Sequence, residues 1–300
     1  MKRAAIVIPV LGVILGMCAG SFAQDNSKPA AQSPPAAQST APAQAAGPAA
    51  APTGKRPPKV NSQEEFAAYK SAAALTDAAA VEKAADDFAA KYPESELRPL
   101  LYRSAMQRYQ MANNADKMVE MGKKILAIDP DDPEALVGTA QVLAERTRDT
   151  DLDRDQRLAE ARKDAERSLL TVETDIPTSG YPPEQLASYK GYLRSEAYAV
   201  LGKLSSDAKN WTDAEANLRK SIDAFPQQVD SIAVLRLAVA LDMQNKIPEA
   251  LKYADQAVEL TKDRPDSGAG KAARDEKDRL TKLNVGAAPG QTQTATPPKN

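Results

Sequence analysis

The sequence contains no histidine and only one cysteine, Cys18. Without imidazole, the commonest general base and metal ligand is missing, and a lone thiol can neither close an intrachain disulfide nor build a zinc site. Aromatic residues make up 5% of the chain, and the β-branched runs that strands favour are scarce, so a sheet is not expected. There is no G-x-S-x-G elbow, and Gly202-Lys203 is followed by Leu204 where a phosphate-cradling loop needs Ser or Thr. An excess of one charge is lacking too. The 39 Lys and Arg are interspersed with 41 Asp and Glu for a formal charge of −2, which forms no basic stripe for a nucleic acid. These absences predict a protein that is not an enzyme, with no catalytic residues, cofactor or nucleic-acid partner.

The ends differ in composition from the middle. Residues 1–23 begin with Lys2 and Arg3, continue as an apolar run from Ala4 to about Gly16 and close on "SFA". That is the layout of a secretory signal peptide, and the run is shorter than the roughly 20 residues of a membrane span. Cleavage after Ala23, export and no transmembrane span in the mature chain are expected. The alternative is an uncleaved segment that tethers the chain to a membrane. Met17 stands where a lipoprotein cysteine wants a small neighbour, and cleavage after Ala23 discards Cys18. Residues 24–60, rich in Ala, Pro and Gln, have almost nothing to bury and are expected to be a disordered linker; prolines would let residues 24–58 reach at most roughly 100 Å. The tail 285–300 has the same character.

Between these ends, 61–284 alternates amphipathic helical patterns with breaks at "KYPESELRP", "DPDDP", "TDIPTSGYPP", "FPQQ" and "DRPDSG". Ser62 with Glu65 predicts a capping box, and Pro133 and Pro183 suit a first helical turn.

The stretch "NWTDAEANLRKSIDAFP" puts Trp211, Ala214, Leu218, Ser221 and Ile222 on one helical face. Small residues on a buried face predict close approach of another backbone. Counted from Ser195, the order Tyr198, Leu201-Gly202, Ala214, Leu218, Ser221, Pro226 resembles the tetratricopeptide repeat, with its period of about 34 residues. Ser231–Lys262 carries Val234, Leu237, Ala238, Leu241, Ile247, Ala250, Ala254 and Ala257 in the same register. Three further copies are partial. In the one from Pro99, Met118 and Gly122 replace the usual small and large pair. In the one from Pro133, the second helix arrives about nine residues late. The resemblance implies an all-α fold, a tetratricopeptide-type α-solenoid of about five helical hairpins (about 61–95, 99–132, 133–173, 184–228 and 231–262) plus a C-terminal capping helix at about 268–284, with disordered ends.

Asp149, Asp151, Asp153, Asp155 and Glu160 fall at places 1, 3, 5, 7 and 12 of a calcium loop, but Arg154 occupies the place of the required glycine. They are weak metal candidates, and the expectation is no metal. By the resemblance, the first helices line a groove for a protein or peptide partner. The groove-facing places hold Arg103, Gln107, Gln110, Gln141, Glu145, Glu196, Lys203, Asp242 and Met243. The Lys and Asn residues with which some members clamp a C-terminal carboxylate are not at the matching places. Tyr181, Tyr189, Tyr192 and Tyr198 are either a peptide platform or packing residues of a long helix whose apolar face includes Leu186, Leu193, Ala197, Val200 and Leu204. The function expected is an exported scaffold, adaptor or assembly factor of the cell envelope, in a bacterial periplasm; the alternatives are a calcium-responsive regulator and a glycan or cell-wall hydrolase. Nothing in the sequence sets an oligomeric state.

Overall fold

A computed structural model describes residues 54–177 and 182–286. The expected signal peptide, residues 24–53 of the linker, Tyr181 and the tail beyond 286 lie outside the described residues. Within them the chain forms eleven α-helices and no named strand: α1 Gln63–Ala73, α2 Ala78–Lys91, α3 Arg98–Met111, α4 Ala115–Leu126, α5 Pro133–Arg146, α6 Arg154–Thr171, α7 Pro183–Asp207, α8 Trp211–Ala224, α9 Ser231–Asp242, α10 Ile247–Leu260 and α11 Gly268–Gly286. None of these helices is long and apolar enough to cross a membrane.

Local chemistry starts the helices where the sequence signals them. Ser62 Oγ accepts the Glu65 amide at 3.0 Å, while Glu65 Oε2 accepts the Ser62 amide at 3.2 Å, completing the capping box. Asp77, Asn114, Asp132, Asn210 and Asp230 cap α2, α4, α5, α8 and α9 through their side chains. Proline opens α5 and α7, where a missing amide proton costs nothing.

Connections of a few residues force α3/α4, α7/α8 and α9/α10 into antiparallel pairs. Every helix packs on the next in sequence, and the first helices also meet one another in the pairs α1–α3, α5–α7, α7–α9 and α9–α11. This nearest-neighbour pattern is a one-dimensional stack of five hairpins in which α11 takes the place of a sixth first helix. The core is accordingly a chain of clusters between hairpins, from Val81, Ala85 and Leu101 at one end to Leu237, Ala254 and Leu280 at the other.

The close approach implied by small residues is present. Ala214, Leu218 and Ser221 are buried, with Trp211 and Ile222 half-buried beside them. A β-carbon on Gly202 of α7 would stand 2.6 Å from Leu218 Cγ of α8, so that leucine fills the space glycine leaves. Ser195 Oγ donates to the Ser221 carbonyl at 2.8 Å, tying the same two backbones. In the second hairpin the sizes are reversed and the neighbour compensates: Met118 reaches across to α5, where a β-carbon on Gly138 would meet its Cε at 3.2 Å.

One regularity of the hairpins is not marked by glycine. Asn113, Lys209 and Asn245 have φ of 55°, 58° and 60° and occupy one and the same place counted from Pro99, Ser195 and Ser231. In each case the next amide bonds back across the helix end, Asn114 to Tyr109, Asn210 to Ser205 and Lys246 to Leu241, at 2.8–2.9 Å. This is the closure by which a left-handed residue ends a helix. In the third hairpin the inserted residues 147–153 replace this turn. Lys209 is exposed and strained there, so Lys209→Gly should raise stability by up to about 1 kcal/mol, because left-handed strain outweighs the extra freedom of unfolded glycine. Thermal unfolding should show a rise in Tm of about 2–4 °C.

Candidate binding face

The first helices α3, α5, α7 and α9 form a row, and their polar side chains bond along it. Arg103 of α3 pairs with Asp132, the cap of α5, and its Nε lies 3.0 Å from Glu134 Oε2. Gln107 Nε2 donates to Glu134 Oε1 at 2.8 Å, and the Tyr189 hydroxyl of α7 donates to Glu134 Oε2 at 2.5 Å. Three helices thus converge on Glu134. Burial pulls the Arg103 guanidinium down, but the charges of Asp132 and Glu134 outweigh it and leave its pKa above the ordinary value. Burial and the adjacent Glu134 charge push the Tyr189 hydroxyl well up, so it remains a donor.

Farther along, Gln141 Nε2 of α5 donates to Glu196 Oε2 of α7 at 2.6 Å. Arg236 of α9 donates to Glu145 of α5 at 2.9 Å, passing over α7. Two helices that flank a third can touch across it only if the row curves toward them, so this face is the concave one. Arg236, Glu145, Gln141, Glu196, Ala199 and Lys203 leave about 10 Å³ between them, room for about one water. Lys203 Nζ lies 2.5 Å from Asp207 on its own helix, and Asp242 of α9 pairs with Arg279 of α11 at 2.5 Å. Gln110 and Met243 are exposed near the ends of α3 and α9.

Of the nine groove-facing places, Arg103, Gln107, Gln141, Glu145, Glu196 and Asp242 bond to another helix of the row or its cap, Lys203 bonds within its own helix, and Gln110 and Met243 are exposed. Sequence reasoning missed the partners Asp132, Glu134, Arg236 and Arg279, and it singled out Tyr189 without its bond to Glu134. Glu134 was legible: it holds the same place in its hairpin as Glu196 does in the next. Arg236 and Arg279 carried no such signal.

The acidic stretch 149–160 folds around its own arginine. Arg154, standing where a calcium loop needs glycine, donates to Asp149 at 3.1 Å and to Asp155 at 2.7 Å. Asp151 accepts the Arg148 amide at 2.9 Å, Asp153 precedes α6 without a side-chain cap bond, and Glu160 pairs with Lys123 at 3.2 Å. Among the described residues no three potential metal-ligating side chains converge. The tyrosines go separate ways as well: Tyr192 meets Phe225 edge-on at 5.9 Å, and Lys220 lies 5.4 Å over Tyr198.

On α6, burial, with Glu160 adding to it, pushes the Asp164 carboxyl up to about 6. A charged Asp164 is therefore disfavoured in the folded chain, and this cost is absent below about pH 4 and complete above pH 6. Asp164→Asn should be neutral at about pH 3.5 and stabilise by about 1–2 kcal/mol at pH 7, allowing for partial exposure. Urea titrations at the two pH values check this.

No family model matches the sequence, and no curated protein matches it. Among solved structures it is similar to "MamA MSR-1 C2", with 18% identity over 64% of this chain and 100% of that one at a TM-score of 0.39. Another is "PilW, widely conserved type IV pilus biogenesis factor", with 17% identity over 71% and 99% at a TM-score of 0.37. A third is "MamA RS-1 ArsTM double mutant", with 16% identity over 63% and 96% at a TM-score of 0.34. Likenesses at these values carry no functional argument, which rests instead on the face itself.

Proposed function

We propose that this chain is a non-catalytic, exported tetratricopeptide-like adaptor that holds a protein or peptide partner of the cell envelope against its concave row of first helices. The observation that carries the reading is the Glu145–Arg236 pair across α7, which makes α5, α7 and α9 one polar face around a gap of about 10 Å³. Both side chains keep about a quarter of their surface, with 25% for Arg236 and 29% for Glu145, so solvent-level competition can exchange this pair for contacts to a partner. The face holds charges of both signs, which favours a partner segment that presents both. Pro- and Ala-rich composition before the repeats supports a spacer role for the linker, and the charged leader layout supports export.

The test is site-specific photo-crosslinking in cells of the source. A photoreactive residue at Ala199, beside the gap, should give a discrete adduct, and one at Lys163, exposed on α6, should not. Arg236→Glu should reduce the Ala199 adduct several-fold. Equal adducts from both positions, or none from Ala199, would remove the concave face as the binding surface.

A further inference from the structure

Residues 54–60 read by composition as the last part of the linker, yet they lie against the stack. The Lys55 amide donates to the Ile176 carbonyl at 3.2 Å, between α6 and α7. Lys55 Nζ lies 2.5 Å from Asp129, between α4 and α5, and 3.9 Å from Asp175. Arg56 grips Glu96, between α2 and α3, through both terminal nitrogens at 2.7 and 2.5 Å, and Glu96 also accepts the Lys59 amide at 2.8 Å. The Arg56 and Lys59 bonds draw the Glu96 carboxyl down to about 2. Val60 packs on the first core cluster and the Asn61 amide donates to Glu65, so the inner end is fixed. The segment therefore touches the three successive turns that join the first four hairpins.

We propose that residues 54–60 are a releasable strap, latched at Lys55, which holds the first three hairpins at one curvature and makes the linker leave the stack beside its third hairpin instead of its first. Pro57 and Pro58 pre-set an extended backbone, so little conformational freedom is lost on seating. Gly54, just outside the latch, has φ of 150°, a value other residues avoid. The latch is partly exposed, with side chains at 36% for Lys55 and 22% for Asp129, and exposed pairs of this kind are individually weak and screened by salt. Stacked hairpins bend at their junctions. A brace across consecutive turns limits that bending, and losing its outer latch restores it. The inference is independent of what the concave face holds.

The experiment uses the full chain. Asp129→Asn with Asp175→Asn removes both carboxylates at the latch and leaves the strap sequence unaltered. Native-state hydrogen exchange should show the Lys55 amide exchanging about ten-fold faster in this variant, and likewise in the unaltered chain on going from about 0.05 to about 0.5 M salt. Spin labels on Lys83→Cys of α2 and Glu166→Cys of α6, in a Cys18→Ser background, should give a broader distance distribution once the latch is lost. Lys55→Glu combined with Asp129→Lys and Asp175→Asn, which swaps the charges and leaves no carboxylate facing the new one, should restore the narrow distribution. An unprotected Lys55 amide in the unaltered chain overturns the latch. Loss of protection with no change in the distance distribution overturns the brace, because the segment would then be seated without restraining the hairpins.

Discussion

Arg103→Ala should lower the unfolding free energy by about 3 kcal/mol, the largest loss expected from a single side chain on the concave face. Its guanidinium faces two carboxylates, Asp132 and Glu134, and Asp132 is almost fully buried at 1% exposure. Removing one partner of a buried pair leaves charge without compensation, which typically costs about 3–5 kcal/mol. The lower end applies because the Arg103 side chain keeps 24% of its surface. Part of the loss comes from the apolar stem, whose methylene groups cover surface that alanine leaves open. The two contributions separate in a rescue: Arg103→Met with Asp132→Asn keeps the stem volume, keeps an N-cap acceptor for the Ala135 amide and removes one stranded charge. The double variant should recover at least half of the loss. Urea unfolding followed by circular dichroism reads both values as shifts in midpoint at constant slope. A midpoint unmoved by Arg103→Ala would mean that the cluster around Glu134 contributes nothing to the docking of the second hairpin on the third.

The helices and their order were readable because each boundary is written locally. Proline, capping Asp and Asn, and amphipathic spacing act within a few residues, and the five hairpins and the last helix follow from them. The turn shape was not readable, since Lys209 takes a left-handed conformation that neither its type nor its neighbours signal. The candidate face was half legible. Register places Arg103, Gln141, Glu145 and Glu196 on one row, but it cannot say that Arg236 reaches Glu145 over an intervening helix, because that depends on the curvature of the whole stack. The strap was hidden by averaging. Over residues 24–60 the composition is Ala- and Pro-rich, while its last part carries Lys55, Arg56 and Lys59 against a run that contains almost no charge before them. That local change was the available sign, and its meaning depended on Glu96, Asp129 and Asp175 standing at successive turns.

Leu218→Ala should cost about 3–5 kcal/mol, the upper part of the range for buried leucines, because the hole it leaves cannot collapse. Leu218 is fully buried, and its Cγ fills the space over Gly202 on the facing helix. The two backbones that would have to move together are already held at short range by the hydrogen bond from Ser195 to the Ser221 carbonyl. The converse change, Gly202→Ala, inserts a carbon 2.6–2.8 Å from Leu218 Cγ and Cδ2 and should cost about 1–3 kcal/mol by overpacking. Combined, the two substitutions should partly cancel: the new methyl group occupies part of the cavity left by the shortened leucine, and the clash that penalised it is gone. The double-mutant cycle should therefore be sub-additive by at least about 1 kcal/mol, a coupling expected only of residues in direct contact. Chemical denaturation of the four proteins measures it. Strict additivity, or a loss below about 1 kcal/mol for Leu218→Ala alone, would show that α7 and α8 do not nest through this pair, and the reason why glycine and leucine face each other in this hairpin would have to be sought elsewhere.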